Sequence, residues 1–202
     1  MQIDSVNSIA FLTFPSGTDY PRLTRSALQS ISQLLERILE ESAFRGVVIR
    51  ANESSFAAGA DIEELSQLDG PTGRQFAAEG QALFDRIAAF PLPVVAAIRG
   101  FCLGGGLDLA LACHARVATF DSAFGHPGGA LGLITGWGGT QRLPRLIGKA
   151  QALQMILTCE RIPATQALTL GLVDELVAGQ DLTEAAARRC ERLALAKSGG
   201  HS

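Results

Sequence analysis

Three consecutive glycines, Gly104, Gly105 and Gly106, constrain this chain more than any other stretch. They follow an apolar run rich in β-formers, PVVAAI at 93–98, and precede a helix-compatible run over 107–113. Glycine loses the most backbone entropy on folding, so three in a row at a strand-to-helix junction are costly. They make sense where a backbone must approach something closely and present N–H groups to it. The first N–H groups of a helix lack internal partners and carry the positive end of the helix dipole. A partly negative oxygen is held well there.

A second loop of small residues, FAAGAD at 56–61, also follows a strand-like run, 47–50. If the two loops lie side by side, two backbone N–H groups converge on one oxygen, an oxyanion hole built without side chains. The competing reading is two tight turns that serve packing. A dinucleotide site is not supported, since no GxGxxG follows Gly100 and no acid stands about twenty residues on. Neither a phosphate-binding GxxxxGKS/T nor a GxSxG nucleophile elbow occurs.

Strand-like and helix-like runs alternate along the chain, which predicts an α/β layered fold. Strands are expected over 6–14, 47–49, 93–98, 116–119, 122–124 and 172–177, with a loop over 15–21. Thr24 is a candidate N-cap for a helix to about Ser42, with apolar residues at helical spacing from Ala27 to Leu39. Further helices are expected over 62–68, 72–89, 107–113, 149–158 and from Pro163 to a closing Gly171. Asp181 caps a last helix to about Lys197, and 198–202 reads as a disordered tail.

Composition narrows the function. With 202 residues, 47% of them hydrophobic, the chain suits one domain with a full core, taken as 1–197. Lys and Arg number 17 against 20 acids with no basic block, which argues against a nucleic-acid partner. The cysteines Cys102, Cys113, Cys159 and Cys190 lack CxxC spacing and read as reduced thiols of a cytoplasmic protein. No secretory signal is visible at the N-terminus, and no apolar run reaches the roughly 18 residues of a membrane span. His114, His126 and His201 have no metal-ligand spacing, so neither a metal nor a separate cofactor is expected.

Several stretches together resemble the crotonase (enoyl-CoA hydratase/isomerase) superfamily. They are SFAAGADI at 55–62, PVVAAIRG at 93–100, LGGGLDLA at 103–110, FGHP at 124–127, LGLITGWGGTQRLPRLIG at 131–148 and ATQALTLGLV at 164–173. The resemblance implies a spiral of ββα units and an acyl-CoA thioester ligand. It implies that the amides of Ala60 and Gly105 hold the thioester oxygen, with Gly104 in the same turn. It places Ala60, Asp61, Ile62 and Glu63 along the CoA adenine, largely through backbone, with Ala58 also among the residues that bind substrate or CoA. It also implies a homo-oligomer, a trimer or a dimer of trimers.

The side chains around the expected hole depart from the family's hydratases. Of their two glutamates, the first matches Asp108 and the second matches Gly128; a further position that carries an aspartate in some relatives matches Gly136. Water addition ordinarily uses one carboxylate to activate water and another to protonate carbon. Asp108 alone suits a one-base proton shuttle, as in a double-bond isomerase, or a decarboxylase. Alternatively it is an acid in the first turn of a helix with only an electrostatic role. His126 is a second acid/base candidate, or a residue that shapes the pocket or bonds backbone. Trp137 walls the acyl site or simply packs. Glu63 and Glu64 are expected on a solvated helix face. Against the family pattern, PRLT at 21–24 replaces an Asn-Ala-Leu-type segment, and the C-terminal helical region that covers the acyl pocket is shortened. Three functions stay open: an enoyl-CoA hydratase or isomerase, a thioester hydrolase or decarboxylase on the same fold, and a non-catalytic acyl-CoA-binding oligomer subunit.

Overall fold

In the computed structural model, which describes residues 2–14, 20–51 and 55–199, the strand expected over 6–14 is two strands. Strand β1 (Gln2–Val6) pairs antiparallel with β2 (Ile9–Phe14). Asn7 and Ser8 turn the hairpin with φ of 51° and 64°. Two left-handed turn residues match the right-handed twist of flanking strands, so a turn forms without glycine. The exposed, polar β1 lacks the apolar signal that reveals β2. Residues 15–19 of the expected loop, residues 52–54, and 200–202 of the expected tail lie outside the described residues.

Helix α1 (Arg25–Glu40) is capped by Thr24, whose side chain accepts from the Ala27 amide, as expected. It buries Leu28, Ile31, Leu35 and Ile38, one stripe at helical spacing. Strand β3 (Gly46–Ala51) follows, then α2 (Ile62–Ser66) and α3 (Gly70–Ala88), the last opened by an Asp69–Thr72 capping box. Strand β4 (Val94–Ile98) leads to β5 (Phe101–Leu103), a strand where only a glycine turn was expected. Helix α4 (Gly105–Ala112) begins inside the glycine triplet, two residues earlier than predicted.

Strands β6 (Ala115–Thr119) and β7 (Ala123–Gly125) come next, followed by a 3-10 turn over Pro127–Leu131. The chain continues with α5 (Gly139–Ile147), α6 (Lys149–Thr158), the short β8 (Ile162–Pro163) and α7 (Ala164–Thr169). Strand β9 is Glu175–Val177, shorter than the 172–177 expected, because Leu172 and Val173 instead bond back to Ala167 at the end of α7. Helix α8 (Leu182–Gly199) takes up Ser198 and Gly199, which were read as tail.

The strands form a six-stranded sheet in the order β1-β2-β3-β4-β6-β9 and a three-stranded sheet in the order β5-β7-β8. All pairs of the large sheet are parallel except β1 with β2. Twice the chain leaves the large sheet for the small one, from β4 to β5 and from β6 to β7. The two crossings are tied where the Ala123 amide donates to the Gly100 carbonyl at 3.0 Å. This is a spiral of two-strand steps followed by a helix, the architecture expected.

The large sheet is covered on both faces, as parallel sheets require. Ala10, Leu12, Phe14, Val47 and Ile49 face the main core with α1 and α3. Ile9, Phe11, Val48, Val95 and Val117 face α8, through Leu182, Ala185, Ala186 and Cys190. Alternation along each strand feeds the two cores. No helix among the described residues is long and apolar enough to cross a membrane.

Candidate functional site

The two small-residue loops do lie side by side. The Leu103 amide donates to the Ala57 carbonyl at 2.9 Å, and the Ala57 amide to the Phe101 carbonyl at 3.2 Å, so 55–61 runs along β5. The far side of that loop is held by Leu23, whose amide donates to the Gly59 carbonyl at 2.8 Å. The PRLT segment therefore positions this loop through backbone.

Glycine is needed here for two separate reasons. Gly104 takes φ +52°, which side chains rarely adopt, and so turns β5 into α4. Gly106 lies against Ala57, where a Cβ would collide with the Ala57 carbonyl. The result places the Gly105 amide, first of α4, next to Ala60. A Cβ built on Gly105 would lie 3.4 Å from the Ala60 nitrogen. Among the described residues neither amide donates to a protein acceptor.

Ala60 and Gly105 both line a cavity of about 700 Å³. Ala58, Ile62, Gly104, Asp108, His126, Gly128 and Trp137 line it too, joining nine of the expected site residues in one place. Asp61 and Glu63 do not line it. The Asp61 carboxylate accepts from the Glu64 amide at 3.0 Å, capping α2, and pairs with Arg22 at 3.3 Å, while Glu63 is exposed. The Glu64 amide contact holds the Asp61 carboxyl below its usual range. Glu64 is not on a solvated face: its Oε2 accepts from the Arg25 amide at 2.9 Å, tying α2 to the start of α1.

Asp108 stands at the fourth position of α4, 1% exposed. It is the acid of that helix's first turn, and it is also bound from outside the helix. Its Oδ2 accepts from the Thr135 hydroxyl, and from the Trp137 amide at 3.2 Å. Burial raises its pKa to about 6, against the lowering effect of Thr135 and Trp137 and of the Arg142 charge. Gly139 adjoins it so closely that a Cβ there would collide with Asp108 Oδ1.

His126 is 3% exposed, and neither ring nitrogen has a partner among the described residues. The expected backbone bond is absent. Its Nε2 lies 3.7 Å from Asp108 Oδ1, against which the Gly139 backbone also lies. Burial lowers the His126 pKa to about 4, so the ring is neutral at pH 7. Trp137 packs in the core and also lines the cavity. Its ring packs on Phe76 and Phe84, with centroids 5.2 and 5.7 Å away, and it walls the cavity beside Gly105.

Thr135 and Gly139 were not singled out from the sequence as site residues. They lie in the glycine-rich stretch after Pro127, and only the packing of that stretch onto α4 brings them to Asp108. Nor were the apolar walls singled out, Leu65 on α2, Phe76 on α3, and Leu133 and Ile134 in that stretch. Among the described residues no three His, Cys, Asp or Glu side chains are grouped as metal ligands would be. His114, next to Cys113, is engaged elsewhere: its Nδ1 accepts from the Val94 amide at 2.9 Å.

A family model described as enoyl-CoA hydratase/isomerase matches residues 4–199. Solved structures are similar over nearly the whole chain. DspI of Pseudomonas aeruginosa is 31% identical with a TM-score of 0.90, over 96% of this chain and 79% of that one. An enoyl-CoA hydratase of Bacillus anthracis is 33% identical with a TM-score of 0.89, over 96% and 76%. An enoyl-CoA hydratase subunit I of Geobacillus kaustophilus is 33% identical with a TM-score of 0.88, over 96% and 74%.

Proposed function

Because this chain belongs to the enoyl-CoA hydratase/isomerase family, the crotonase superfamily, we propose that it acts on an acyl-CoA thioester by stabilising its enolate. The observation that carries this reading is the adjacency of the Ala60 and Gly105 amides, one helical turn from the buried Asp108. The two N–H groups donate to the thioester oxygen. Removing a proton from carbon next to the carbonyl moves negative charge onto that oxygen, so the donors stabilise the transition state more than the substrate. Mutational analogues put one such donor at roughly 3 to 4 kcal/mol.

Asp108 is the proton-moving group. It follows Gly105 by three residues and so shares its helix face. With a pKa of about 6 it is a carboxylate near neutral pH and still basic enough to exchange a proton efficiently. The simplest reaction for one carboxylate is a proton shift. A C–H bond breaks toward Asp108, the electron pair delocalises onto the held oxygen, and the same proton returns to another carbon of the acyl chain. This turns a 3-enoyl thioester into its conjugated 2-enoyl isomer.

The test is turnover of a 3-enoyl-CoA, followed by the absorbance of the conjugated thioester, beside hydration of crotonyl-CoA, followed by mass. The expected result is activity in at least one assay that is lost in Asp108→Asn. Release of CoA or CO₂ insensitive to Asp108 would favour hydrolysis or decarboxylation. Binding without turnover across a thioester panel would favour an assembly subunit.

A further inference from the structure

The stretch of chain that holds the buried Asp108 carboxylate is itself held from outside the cavity. Asp108 Oδ2 accepts from the Trp137 amide at 3.2 Å and from the Thr135 hydroxyl, and the Gly139 backbone lies against Oδ1. A buried charge is costly unless donors and a counter-charge face it. These donors come from a stretch with glycine at 136, 138 and 139, where the backbone has the most conformational freedom. A peptide turned over there would aim a carbonyl at Oδ2 in place of an N–H.

Side chains of α3 and α5 oppose that turn. The Gly136 carbonyl and the Trp137 amide are the two ends of one planar peptide group and point in opposite directions. Gln81 of α3 donates to that carbonyl through Nε2 at 2.7 Å, so the N–H at the other end is turned to Asp108. The next carbonyl, that of Trp137, accepts from Arg142 Nη1 of α5 at 3.0 Å. The guanidinium reaches it because Gly138, at φ +104°, has no side chain; a Cβ there would overlap Nη1. Its Nη2 pairs with Asp85 of α3. One rigid fork thus joins α5, α3 and the backbone that binds Asp108. The Arg142 side chain is only 15% exposed, and it does not line the cavity.

We propose that Arg142 is a positioning residue for the proton transfer: it fixes the Trp137 backbone with its N–H on the Asp108 carboxylate, and it sets a positive charge behind that acid. Gln81 shares the first task and not the second. The charge acts in the sense the reaction needs, lowering the Asp108 pKa against the burial that raises it. The other titratable groups around Asp108 bring no positive charge at neutral pH: His126 is neutral, and Cys102 of β5 is a buried thiol. Without Arg142 the carboxyl keeps its own proton to higher pH, and while it does so it cannot serve as a base. The inference rests on the reading of Asp108 as the proton-moving group.

Arg142→Gln and Arg142→Lys test this by two readouts. The titration of the Asp108 carboxyl, followed by carbon NMR and assigned by its loss in Asp108→Asn, needs no turnover. Its midpoint moves up by about one pH unit in Arg142→Gln and stays near the wild-type value in Arg142→Lys, which keeps the charge. In turnover of the enoyl-CoA that the wild type accepts, the acid limb of Arg142→Gln moves up with that midpoint, and kcat at pH 6 falls about fivefold or more. KM stays within about twofold, since Arg142 does not touch the cavity. Arg142→Lys keeps the wild-type limb but loses about tenfold in kcat at every pH, because an ammonium lacks the fork that orients the backbone. An unmoved midpoint in a folded Arg142→Gln, or a loss confined to KM, overturns the proposal and leaves Asp108 as the base. Should the glutamine variant not fold, a lysine variant with wild-type kcat overturns it. If the wild type shows no turnover that depends on Asp108, the reading of Asp108 falls and this inference falls with it.

Discussion

His126 Nε2 stands 3.7 Å from Asp108 Oδ1, across a cavity wall that buries both side chains. Burial acts on the two in opposite senses. It disfavours the charged form of each, raising the carboxyl to about 6 and lowering the imidazole to about 4. At neutral pH the pair is therefore a carboxylate facing a neutral ring. Two groups that would ordinarily form an ion pair are instead an acceptor and a donor–acceptor.

The first prediction concerns activity against pH. Asp108 must be ionised to accept a proton, so turnover of an enoyl-CoA falls as pH drops through about 6. Asp108→Asn lowers kcat by about 10² to 10⁴, the usual worth of a positioned acid or base. A pH–rate profile of the wild type, with no limb near 6, would exclude Asp108 as the base.

Stability against pH gives a separate reading of the same group. Asp108 is harder to ionise folded than unfolded, since its model value is 3.8. It thus favours the folded state below about pH 4, and that contribution is lost as pH rises through about 6. Relative to wild type, Asp108→Asn gains stability over this window, by about 3 kcal/mol at most. His126 opposes this trend. Its contribution is present above 6.5 and is lost as pH falls through about 4. Urea unfolding of both single variants between pH 4 and 7 checks the two slopes.

Replacing Gly106 by alanine drives a Cβ into the Ala57 carbonyl. Backbone cannot yield as a side-chain tip can, so the expected cost is about 1 to 3 kcal/mol, the range for overpacking. The loops that carry Ala60 and Gly105 part in the process, so kcat/KM falls further than stability alone explains. An alanine at Gly70, where a Cβ meets nothing within 4 Å, is the control and leaves both unchanged.

Trp137→Ala removes a ring packed between Phe76 and Phe84 and against Gly80 and Gly105. A loss of about 3 to 5 kcal/mol is expected in chemical unfolding. The Trp137 amide contact to Asp108 is backbone and survives the change.

The charged residues on the cavity wall are Asp69 and Asp108, with no Lys or Arg among the described lining residues. An acyl group that ends in a carboxylate would meet like charge and no counter-ion. Succinyl-CoA is expected to bind at least about tenfold more weakly than butyryl-CoA, and the difference should shrink at high salt. Equal affinities would argue that the acyl end lies outside this cavity.

The glycine triplet and the FAAGAD loop were legible in the sequence because their requirement is local. A turn at φ +52° and a helix start that presents amides need glycine wherever they occur. The strand–helix alternation and the stripe on α1 were legible for the same reason: each is a short-range period. The hairpin turn at Asn7 and Ser8 was missed, since β1 is polar and exposed and carries no apolar signal. Strand β5 was missed because three residues show no period of their own and become a strand only by pairing with β7.

At the site, sequence alone determined which backbone amides are candidates and that Asp108 stands three residues after one of them. That Asp108 is buried, and that His126 lines the cavity without bonding backbone among the described residues, was decided only by tertiary structure. Burial sets pKa and hydrogen-bond satisfaction, and burial here comes from packing the 126–139 stretch onto α4. That stretch brings Thr135, Trp137 and Gly139 to a carboxylate about thirty positions earlier. No period or motif records such a contact, because it exists only after the chain has closed on itself.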